Sequence, residues 1–473
     1  MQFPITGLRP WRRSPERRHD MNRLILDKET TYQTFDRFGV SGAWWAQVVG
    51  GWEETDEASG LSKRERVAQL LFDPVKGIGV RCYRYNLGAG SMQSGKGRFD
   101  HECRRAESFD VSETDYDWSR DANAVWMMKE AVKRGADEVI LFANSPPERW
   151  TRNGMAHLEK AGRTNLPRRN FGNFARYCLD CAEHFLAEGV PVKSVSPVNE
   201  PVWVWTGGQE GCHYRPHQVY ELMKVFAREM DQRPALKELK LSGAENGDVR
   251  WFNKTYSAVM LHDKAVRRRV DAVDVHSYFL TPNIPLAAKL MPSRASFLKR
   301  YRAFMDLCWP GVAVRTSEWT HMKGGRDYGM DSALEQTKVI LEDLTLLNVT
   351  AWQLWIAVSN VDYCDGLLYE NDDSRTFETT KRYYAFGNFT KFIEPGSVRI
   401  KADAGNGLSC AAFMKDGRTV AVVANPGAGR HILLPTAPKA VYLTDPTHDL
   451  SETDAERLFF LPAKSVVTLI FED

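Results

Sequence analysis

Two glutamates in the sequence have the type and position that hydrolysis of a glycosidic bond requires. Glu200 lies in SPVNEP and Glu318 lies in RTSEW, and each follows a short run typical of a buried β-strand. Glycoside hydrolysis uses a protonated carboxylic acid to release the leaving oxygen and a second carboxylate to attack the anomeric carbon or to activate water. A single glutamate at such a place more often caps a helix or pairs with an arginine. Two glutamates at the ends of facing strands favour catalysis.

The elements that must position these glutamates alternate regularly along the chain. Between residues 35 and 390, short β-type runs alternate with amphipathic helical patterns, which is the signature of repeated β-α units and an α/β fold. Eight units most simply close into a (β/α)₈ TIM barrel, whose reactive side chains lie at the C-terminal ends of the strands. Glu200 and Glu318 follow the fourth and seventh strands, which face each other across such a barrel. The predicted strands are Phe38–Ser41, Val80–Tyr85, Val139–Ala143, Ser194–Pro197, Lys240–Ala244, Ala272–His276, Ala313–Ser317 and Ala351–Trp355.

A different pattern follows the barrel. After Phe392, the alternating runs SVRIKA, TVAVVANP, AVYLTDP and SVVTLIFED are separated by Gly, Pro and Asp, which predicts antiparallel strands. The stretch Arg23–Asp27 could add one more strand to them. We therefore predict a basic, flexible leader over residues 1–21, a catalytic barrel over 35–390, and an appended β-sandwich side domain made of residues 22–34 and 391–473.

Composition excludes several classes of protein. The chain carries 63 basic and 61 acidic residues, so its formal charge of +2 provides no strong positive potential for binding a nucleic acid. No run of about 18 apolar residues occurs, which excludes a membrane-spanning helix. The eight cysteines are scattered, which indicates free thiols in a reducing compartment. The first twenty residues lack a signal peptide's apolar run, so the expected location is the cytoplasm, or outside the cell if an export signal has been removed. The sequence predicts no oligomeric state.

The sequence predicts neither a metal nor a cofactor. The eleven histidines form no HxH or HExxH pattern, so a hydrolytic metal would lack ligands. Cys178 and Cys181 form a CxxC pair, but they lie on one predicted helix and no second pair follows at zinc-site spacing. The expected partner is an oligo- or polysaccharide substrate.

Beyond these patterns, the chain resembles glycoside hydrolase family 30, a clan A family with a (β/α)₈ barrel and a side β-domain. The resemblance extends from residue 35 onward. In that family the glutamate of NEP is the acid/base and the glutamate of SEW is the nucleophile, which implies these roles for Glu200 and Glu318 in a retaining, double-displacement mechanism. The segments that carry the resemblance are FGVSGAWWAQ, RYNLGAGSMQ, YDWSRDANAVWMMKEAVKRGAD, FANSPPERW, SPVNEP, WTGGQEGCHY, TSEW and LPAKSVVTLIF.

The resemblance also implies substrate-binding residues. Asn199 would hydrogen-bond the sugar 2-hydroxyl, a contact that strengthens in the transition state. Tyr278, in DVHSY, would orient the nucleophile, and His276 in the same segment is a further candidate. Arg84 resembles the arginine that pairs with the nucleophile, although Arg81 competes for that assignment. In addition, Trp355 in WQLW resembles the tryptophan at the floor of the sugar site.

One departure from the family falls at the third strand. The family usually reads SPPxWM there, whereas this chain reads SPPERW after Asn144, which is itself a candidate contact. Either the loop presents Trp150 to the sugar, or Arg149 lines the site. A guanidinium in that place could bind a carboxylate on the substrate, because its fork matches carboxylate geometry.

The segments WTGGQEGCHY and SGAWWAQ most resemble the endo-β-1,6-galactanase branch of the family. That resemblance implies a substrate of β-1,6-linked galactan or galacto-oligosaccharides, with Trp45, Trp203 and Glu210 as further sugar contacts. An exo-acting β-glycosidase of the same family, of the β-glucuronidase, β-fucosidase, β-glucosidase or β-xylosidase type, is the alternative. A non-catalytic carbohydrate-binding barrel is the alternative from another class, and the presence of both glutamates disfavours it.

Overall fold

Eight parallel strands form a closed barrel in the computed structural model, which describes residues 21–250, 253–279, 291–454 and 456–472. Seven strands follow one another around the barrel in chain order, and the eighth pairs with both the first and the seventh, which closes it. The predicted TIM-type fold and its eight strands are confirmed. The strands β1 (Asn22–Arg23) and β2 (Ile25–Thr34) precede the barrel in the chain. The barrel strands are β3 (Arg37–Ser41), β4 (Cys82–Asn86), β5 (Glu138–Phe142), β6 (Val192–Ser196), β7 (Lys240–Asn246), β8 (Val270–His276), β9 (Ala313–Glu318) and β10 (Ala351–Leu354).

Burial on both faces explains why these strands read as apolar runs. In β5, EVILF, all five side chains are buried, because one face fills the barrel and the other lies under the helices. The helix Lys63–Phe72 begins with a capping box between Ser62 and Glu65. The other α-helices of the described chain are Ala46–Val49, Ser91–Ser94, Ala122–Arg134, Phe171–Ala187, Pro216–Asp231, Asn253–Leu261, Lys264–Arg269, Arg294–Cys308, Met330–Glu342 and Lys381–Thr390.

A second unit, made of one antiparallel sheet and one mixed sheet, lies beside the barrel. One sheet has seven strands and the other has three, and apolar side chains of both sheets form a separate core. Residues 22–34 contribute strands to this unit: Ile25–Thr34 pairs with Val398–Asp403, and Asn22–Arg23 pairs with Arg430–Leu433. The remaining strands of the two sheets are Ser409–Lys415, Arg418–Asn425, Ala440–Thr444, Ser451–Thr453, Leu458–Leu461 and Ser465–Glu472.

The helix Lys381–Thr390 joins the barrel to the seven-stranded sheet. Asn388 on this helix is fully buried, donates to the Tyr442 carbonyl at 3.0 Å and accepts from the Thr444 hydroxyl at 2.7 Å. A small sheet of Val358–Ser359, Leu368–Asn371 and Thr376–Thr379 follows the last barrel strand. Of the predicted leader, residues 1–20 lie outside the described residues.

Two further expectations concern the chain as a whole. All eight cysteines are unbridged, which confirms the expected free thiols. Among the helices within the described ranges, none combines the length and the apolar character that crossing a bilayer would require.

Candidate active site

A cavity of about 330 Å³ lies at the C-terminal ends of the barrel strands, where this fold carries its functional residues. The end of β9 and the segments that follow β6, β7, β8 and β10 all contribute to its wall. The described lining residues are Trp44, Asp100, Arg104, Asn199, Glu200, Trp203, Trp205, Gln209, Gly247, Tyr278, Glu318, Thr320, Met322, Trp355, Val361, Tyr363 and Asp365.

Both predicted glutamates line this cavity. Glu318 is the last residue of β9, and Glu200 follows β6 in a left-handed backbone conformation with a φ of 45°. A turn holds that conformation, because the amide of Trp203 donates to the Glu200 carbonyl at 3.1 Å. One carboxylate oxygen of Glu200 and one of Glu318 lie within 4.8 Å of each other. The fold therefore brings together two carboxyl groups that lie 118 residues apart in the sequence.

Arg84 and Tyr278 hold the Glu318 carboxylate from two sides. The Arg84 Nη1 donates to Oε2 at 3.2 Å, and the Tyr278 hydroxyl donates to Oε1 at 3.0 Å. Burial raises the pKa of the Glu318 carboxyl to about 7, although the positive charges of His276 and Arg84 favour its ionised form. Arg84 Nη2 also donates to the Asn199 side-chain oxygen at 3.1 Å, which leaves the Asn199 amide group to a ligand in the cavity. The competing Arg81 instead pairs with Asp137.

His276 lies between three carboxylates at the bottom of the site. Its Nδ1 is 3.0 Å from Glu200 Oε1 and 3.4 Å from Glu318 Oε1, and its Nε2 is 3.0 Å from Glu245 Oε2. Burial opposes a charge on this ring, but Glu318, Glu200 and Glu245 outweigh that effect and raise the pKa of His276 to about 10. This pKa favours the imidazolium form, in which both ring nitrogens donate to the carboxylates.

That protonation state decides how the cluster can bind ions. Glu200, His276 and Glu318 offer ligand atoms at the mutual spacing of a metal site. A histidine ligates a metal through the lone pair of an unprotonated ring nitrogen, whereas both nitrogens of His276 face carboxylate oxygens at 3.0 Å. His276 thus supplies the positive charge of this cluster itself.

Aromatic side chains form much of the cavity wall. Trp44 meets Trp355 edge to face with ring centroids 5.0 Å apart, and the Arg104 guanidinium lies 4.5 Å from the Trp44 ring centre. Trp203 and Trp205 line the cavity between β6 and the following helix. Aromatic faces of this kind suit the apolar faces of sugar rings.

Two of the predicted sugar contacts lie in the protein interior. Trp45 is 1% exposed and its indole donates to the Ser41 carbonyl at 2.8 Å, so its neighbour Trp44 faces the cavity instead. Glu210 is also 1% exposed, and it accepts hydrogen bonds from the Ala89 amide at 3.0 Å and the Ser91 hydroxyl at 2.6 Å. Both residues shape the loops behind the site.

The residues of the third strand end also lie outside the described cavity lining. Arg149 donates to the Asp110 carboxylate at 2.9 Å and to a backbone carbonyl, on the outer side of its loop. Trp150 is 3% exposed and packs edge to face on Tyr177. Asn144 is buried and donates to Asn86 at 3.3 Å. The sequence SPPERW left open whether Trp150 or Arg149 contacts the sugar, and the described cavity lining contains neither of them.

The structure adds a residue that the sequence patterns did not single out. Glu245 lies near the end of β7, is fully buried, and contacts both Arg84 and His276. It follows the same rule as the other two glutamates, since it is an acidic residue at a strand end. Glu245 directly follows the predicted strand Lys240–Ala244, as Glu318 follows its predicted strand, but the rule was not applied to it.

Known proteins share this architecture. The chain is 26% identical over 428 residues to an endo-beta-1,6-galactanase from Hypocrea rufa, which covers 86% of this chain and 82% of that protein. A conserved exported protein from Bacteroides fragilis has a similar structure, with a TM-score of 0.83 and 24% identity over 95% of this chain and 100% of that one. The catalytic domain of the family 30 xylanase C from Talaromyces cellulolyticus has a TM-score of 0.73 at 18% identity, with the same two coverages.

The strongest assignment comes from the family comparison. The sequence model of O-glycosyl hydrolase family 30 matches residues 21–369, which is most of the 473-residue chain and includes every barrel strand. The matched region also contains both glutamates of the cavity. The protein therefore belongs to O-glycosyl hydrolase family 30 and is an O-glycosyl hydrolase.

Proposed function

We propose that this hydrolase retains the anomeric configuration and cleaves β-1,6-linked galactan or galacto-oligosaccharides, with Glu318 as nucleophile and Glu200 as acid/base. The observation that carries the mechanism is the short distance between the two side chains, whose nearest oxygens lie within 4.8 Å. Retaining enzymes hold their carboxyl groups about 5 to 5.5 Å apart, whereas inverting enzymes need about 6.5 to 9.5 Å to admit a water molecule. The short distance between the two side chains therefore favours the retaining arrangement.

The two steps follow from these positions. In the first, a Glu318 oxygen forms a bond to the anomeric carbon while the bond to the leaving oxygen breaks, and Glu200 gives its proton to that oxygen. In the second, Glu200 takes a proton from water, the water oxygen bonds to the anomeric carbon, and Glu318 leaves as a carboxylate. The enzyme ends each cycle in its starting state, with Glu200 protonated and Glu318 ionised.

The neighbours of Glu318 support its role as nucleophile. Arg84 and Tyr278 each occupy one of its oxygens, so the carboxylate has a fixed orientation before the sugar arrives. Asn199 is 4% exposed, lies beside Glu200 on the cavity wall and is held by Arg84. In our proposal its amide group donates to the sugar 2-hydroxyl as positive charge develops on the ring.

The charges of the cavity support a neutral substrate. Among the described lining residues, Asp100, Glu200, Glu318 and Asp365 are acidic, and Arg104 is basic. Arg104 already donates to Asp100 at 3.0 Å. A sugar carboxylate would therefore meet mostly negative charge, which disfavours the glucuronidase alternative.

The shape of the cavity mouth supports endo action. Met322 and Tyr363 line the cavity and are 60% and 41% exposed, so they offer apolar surface beyond the buried glutamates. Such surface suits further sugar residues of a chain. The galactan substrate itself is proposed from the relative in Hypocrea rufa, which is named as an endo-beta-1,6-galactanase.

Product analysis tests the proposal. The enzyme is incubated with β-1,6-galactan, and in parallel with glucuronide-bearing, β-fucosyl, β-glucosyl and β-xylosyl substrates. We expect a ladder of oligosaccharides from galactan, with the first product observed by proton NMR as the β-anomer. A single mono- or disaccharide product from the first minutes would favour the exo alternative. An α-anomer as first product would overturn the retaining mechanism.

A further inference from the structure

Glu245 connects the partners of the two catalytic glutamates. Its Oε2 accepts hydrogen bonds from Arg84 Nη2 and from His276 Nε2, the latter at 3.0 Å, and its Oε1 accepts one from the Ser196 hydroxyl. Arg84 also contacts Glu318, and His276 also contacts Glu200. Arg84 therefore connects Glu245 to Glu318, and His276 connects Glu245 to Glu200.

The backbone of Glu245 takes part as well. Its carbonyl accepts the amide hydrogen of Glu200 at 2.9 Å, which links the end of β7 to the turn that presents Glu200. Glu245 itself has a left-handed backbone with a φ of 47°. A residue other than glycine or asparagine is uncommon in that conformation, and such positions concentrate where the surrounding structure determines them strongly.

We propose that Glu245 is a positioning residue whose negative charge keeps His276 protonated on both nitrogens and fixes Arg84 and His276 against the two catalytic glutamates. The proposal rests on the roles assigned to Glu200 and Glu318 above. Glu245 does not line the cavity, so it acts through its two cationic neighbours and not on the sugar.

A count of charges explains why such a residue is needed. Before the reaction, Arg84 and His276 carry two positive charges, Glu245 and Glu318 carry two negative charges, and Glu200 holds a proton. After the first step Glu318 is an uncharged ester and Glu200 has lost its proton, so two positive charges again face two negative ones. Because unbalanced charge is costly in a buried site, Glu245 is needed to offset the second positive charge in both states.

The charged groups that surround His276 within the described residues are consistent with this charge balance. Glu200, Glu245 and Glu318 face the ring from three neighbouring segments, and the Tyr278 ring centroid lies 6.1 Å from it. Asp274, two residues earlier on β8, is occupied by Arg315, which donates to its two oxygens at 2.8 and 3.2 Å. Burial disfavours an ionised Glu245, but Arg84 and His276 outweigh this and keep the pKa of Glu245 below its usual value.

Replacement of Glu245 by glutamine tests the proposal, because glutamine keeps the size of the side chain and removes its charge. The readout is the ¹⁵N NMR signal of the His276 ring in protein labelled at histidine and assigned with a His276→Gln variant. In the wild type we expect both nitrogens to remain protonated from about pH 5 to 9, and in Glu245→Gln we expect the ring to titrate within that range. We also expect kcat to fall by about 100-fold, with a smaller change in KM.

Two further variants serve as controls. Glu245→Asp keeps the charge and should leave His276 protonated. Glu138→Gln removes another buried glutamate that pairs with an arginine, Arg37, but at the start of β5, far from the cavity end of the barrel. It should change neither the His276 titration nor kcat.

Two results would overturn the proposal: a neutral His276 in the wild type at about pH 8, or a folded Glu245→Gln protein in which His276 keeps both protons. Where Glu245→Gln fails to fold, a neutral His276 in the wild type would still overturn the proposal. The NMR readout is also independent of turnover. A wrong assignment of the nucleophile would therefore appear in product stereochemistry and in Glu318 variants, and not in this titration.

Discussion

Arg84 donates from Nη1 to the Oε2 oxygen of Glu318 over 3.2 Å, and the Arg84 side chain has no exposed surface. The guanidinium also lies against the Phe142 ring, 3.7 Å from its centre, so it has little freedom to move away. The carboxylate is therefore held by a cation that water does not screen. This pair makes the chemical role of Glu318 testable apart from the role of Glu200.

Replacing each catalytic glutamate should have a different effect. Glu318→Gln removes the attacking oxygen, and we expect kcat to fall by more than about 1,000-fold on every substrate. Glu200→Gln removes the proton donor, but an aryl glycoside with a good leaving group needs little protonation. With that substrate we expect a burst of phenol release and a glycosyl-enzyme that mass spectrometry detects. Equal residual activity in both variants would contradict the assigned roles.

The pH dependence of kcat/KM should report the ionisation of Glu318. Burial raises the pKa of this carboxyl to about 7, and only the ionised form can attack. We therefore expect kcat/KM to fall as the pH decreases through about 7, well above the usual range of a glutamate. Arg84→Gln removes a charge that favours ionisation, so the midpoint of this acid limb should move to higher pH. An acid limb below about pH 5 in the wild type would contradict the prediction.

The same shift predicts a gain of stability in Glu318→Gln. A carboxyl whose pKa is higher in the folded protein than in the unfolded chain destabilises the fold as the pH rises from the unfolded value toward the folded one. The usual pKa of a glutamate is about 4.5 and the folded value is about 7, so ionisation costs at most about 3.5 kcal/mol above pH 7. Thermal unfolding should show a higher Tm for Glu318→Gln at about pH 8, with a smaller gain at about pH 5. A gain of the same size at both pH values would contradict the prediction.

Much of the fold could be predicted because buried parallel strands leave a clear pattern. A short run such as EVILF, with turns on either side, occurs in soluble proteins mainly as a strand that is buried on both faces. Once eight such runs were recognised, barrel geometry placed Glu200 and Glu318 on facing strands. The hydrophobic periodicity of the helices and of the antiparallel strands after Phe392 was sufficient to predict the rest of the architecture.

Positions one or two residues from an element boundary could not be predicted in this way. The fifth barrel strand runs to Asn246 and not to Ala244, and the sequence does not show that the Glu245 side chain lies between Arg84 and His276. Likewise, the sequence gives no means of choosing between Trp44 and Trp45. The choice depends on the left-handed backbone of Trp44, with a φ of 72°, which turns its side chain toward the cavity.

The two adjacent tryptophans should therefore respond differently to replacement. Trp44→Ala removes an aromatic wall of the cavity, and we expect kcat/KM on galactan to fall by about 10-fold or more with little change in Tm. Trp45→Ala leaves a hole in the core and should lower the free energy of unfolding by about 3 to 5 kcal/mol. Thermal unfolding and steady-state kinetics of both variants test this pair. A larger loss of stability in Trp44→Ala than in Trp45→Ala would contradict it.

Two arginines that each pair with an aspartate provide the last comparison. Arg149 stood in the sequence as a candidate contact for an acidic sugar, but in the structure its guanidinium is engaged by Asp110 outside the described lining. Arg104 pairs with Asp100 and also covers the Trp44 ring at 4.5 Å, on the cavity wall. We therefore expect Arg149→Gln to keep kcat/KM within about twofold of the wild type, since neither partner touches the substrate. Arg104→Gln should lower it by about 5- to 10-fold, because Trp44 loses a cation–π contact of roughly 1 kcal/mol that holds its ring in place. Steady-state kinetics on the same galactan measure kcat/KM of both variants. A larger loss of kcat/KM in Arg149→Gln than in Arg104→Gln would indicate that Arg149 contacts the sugar.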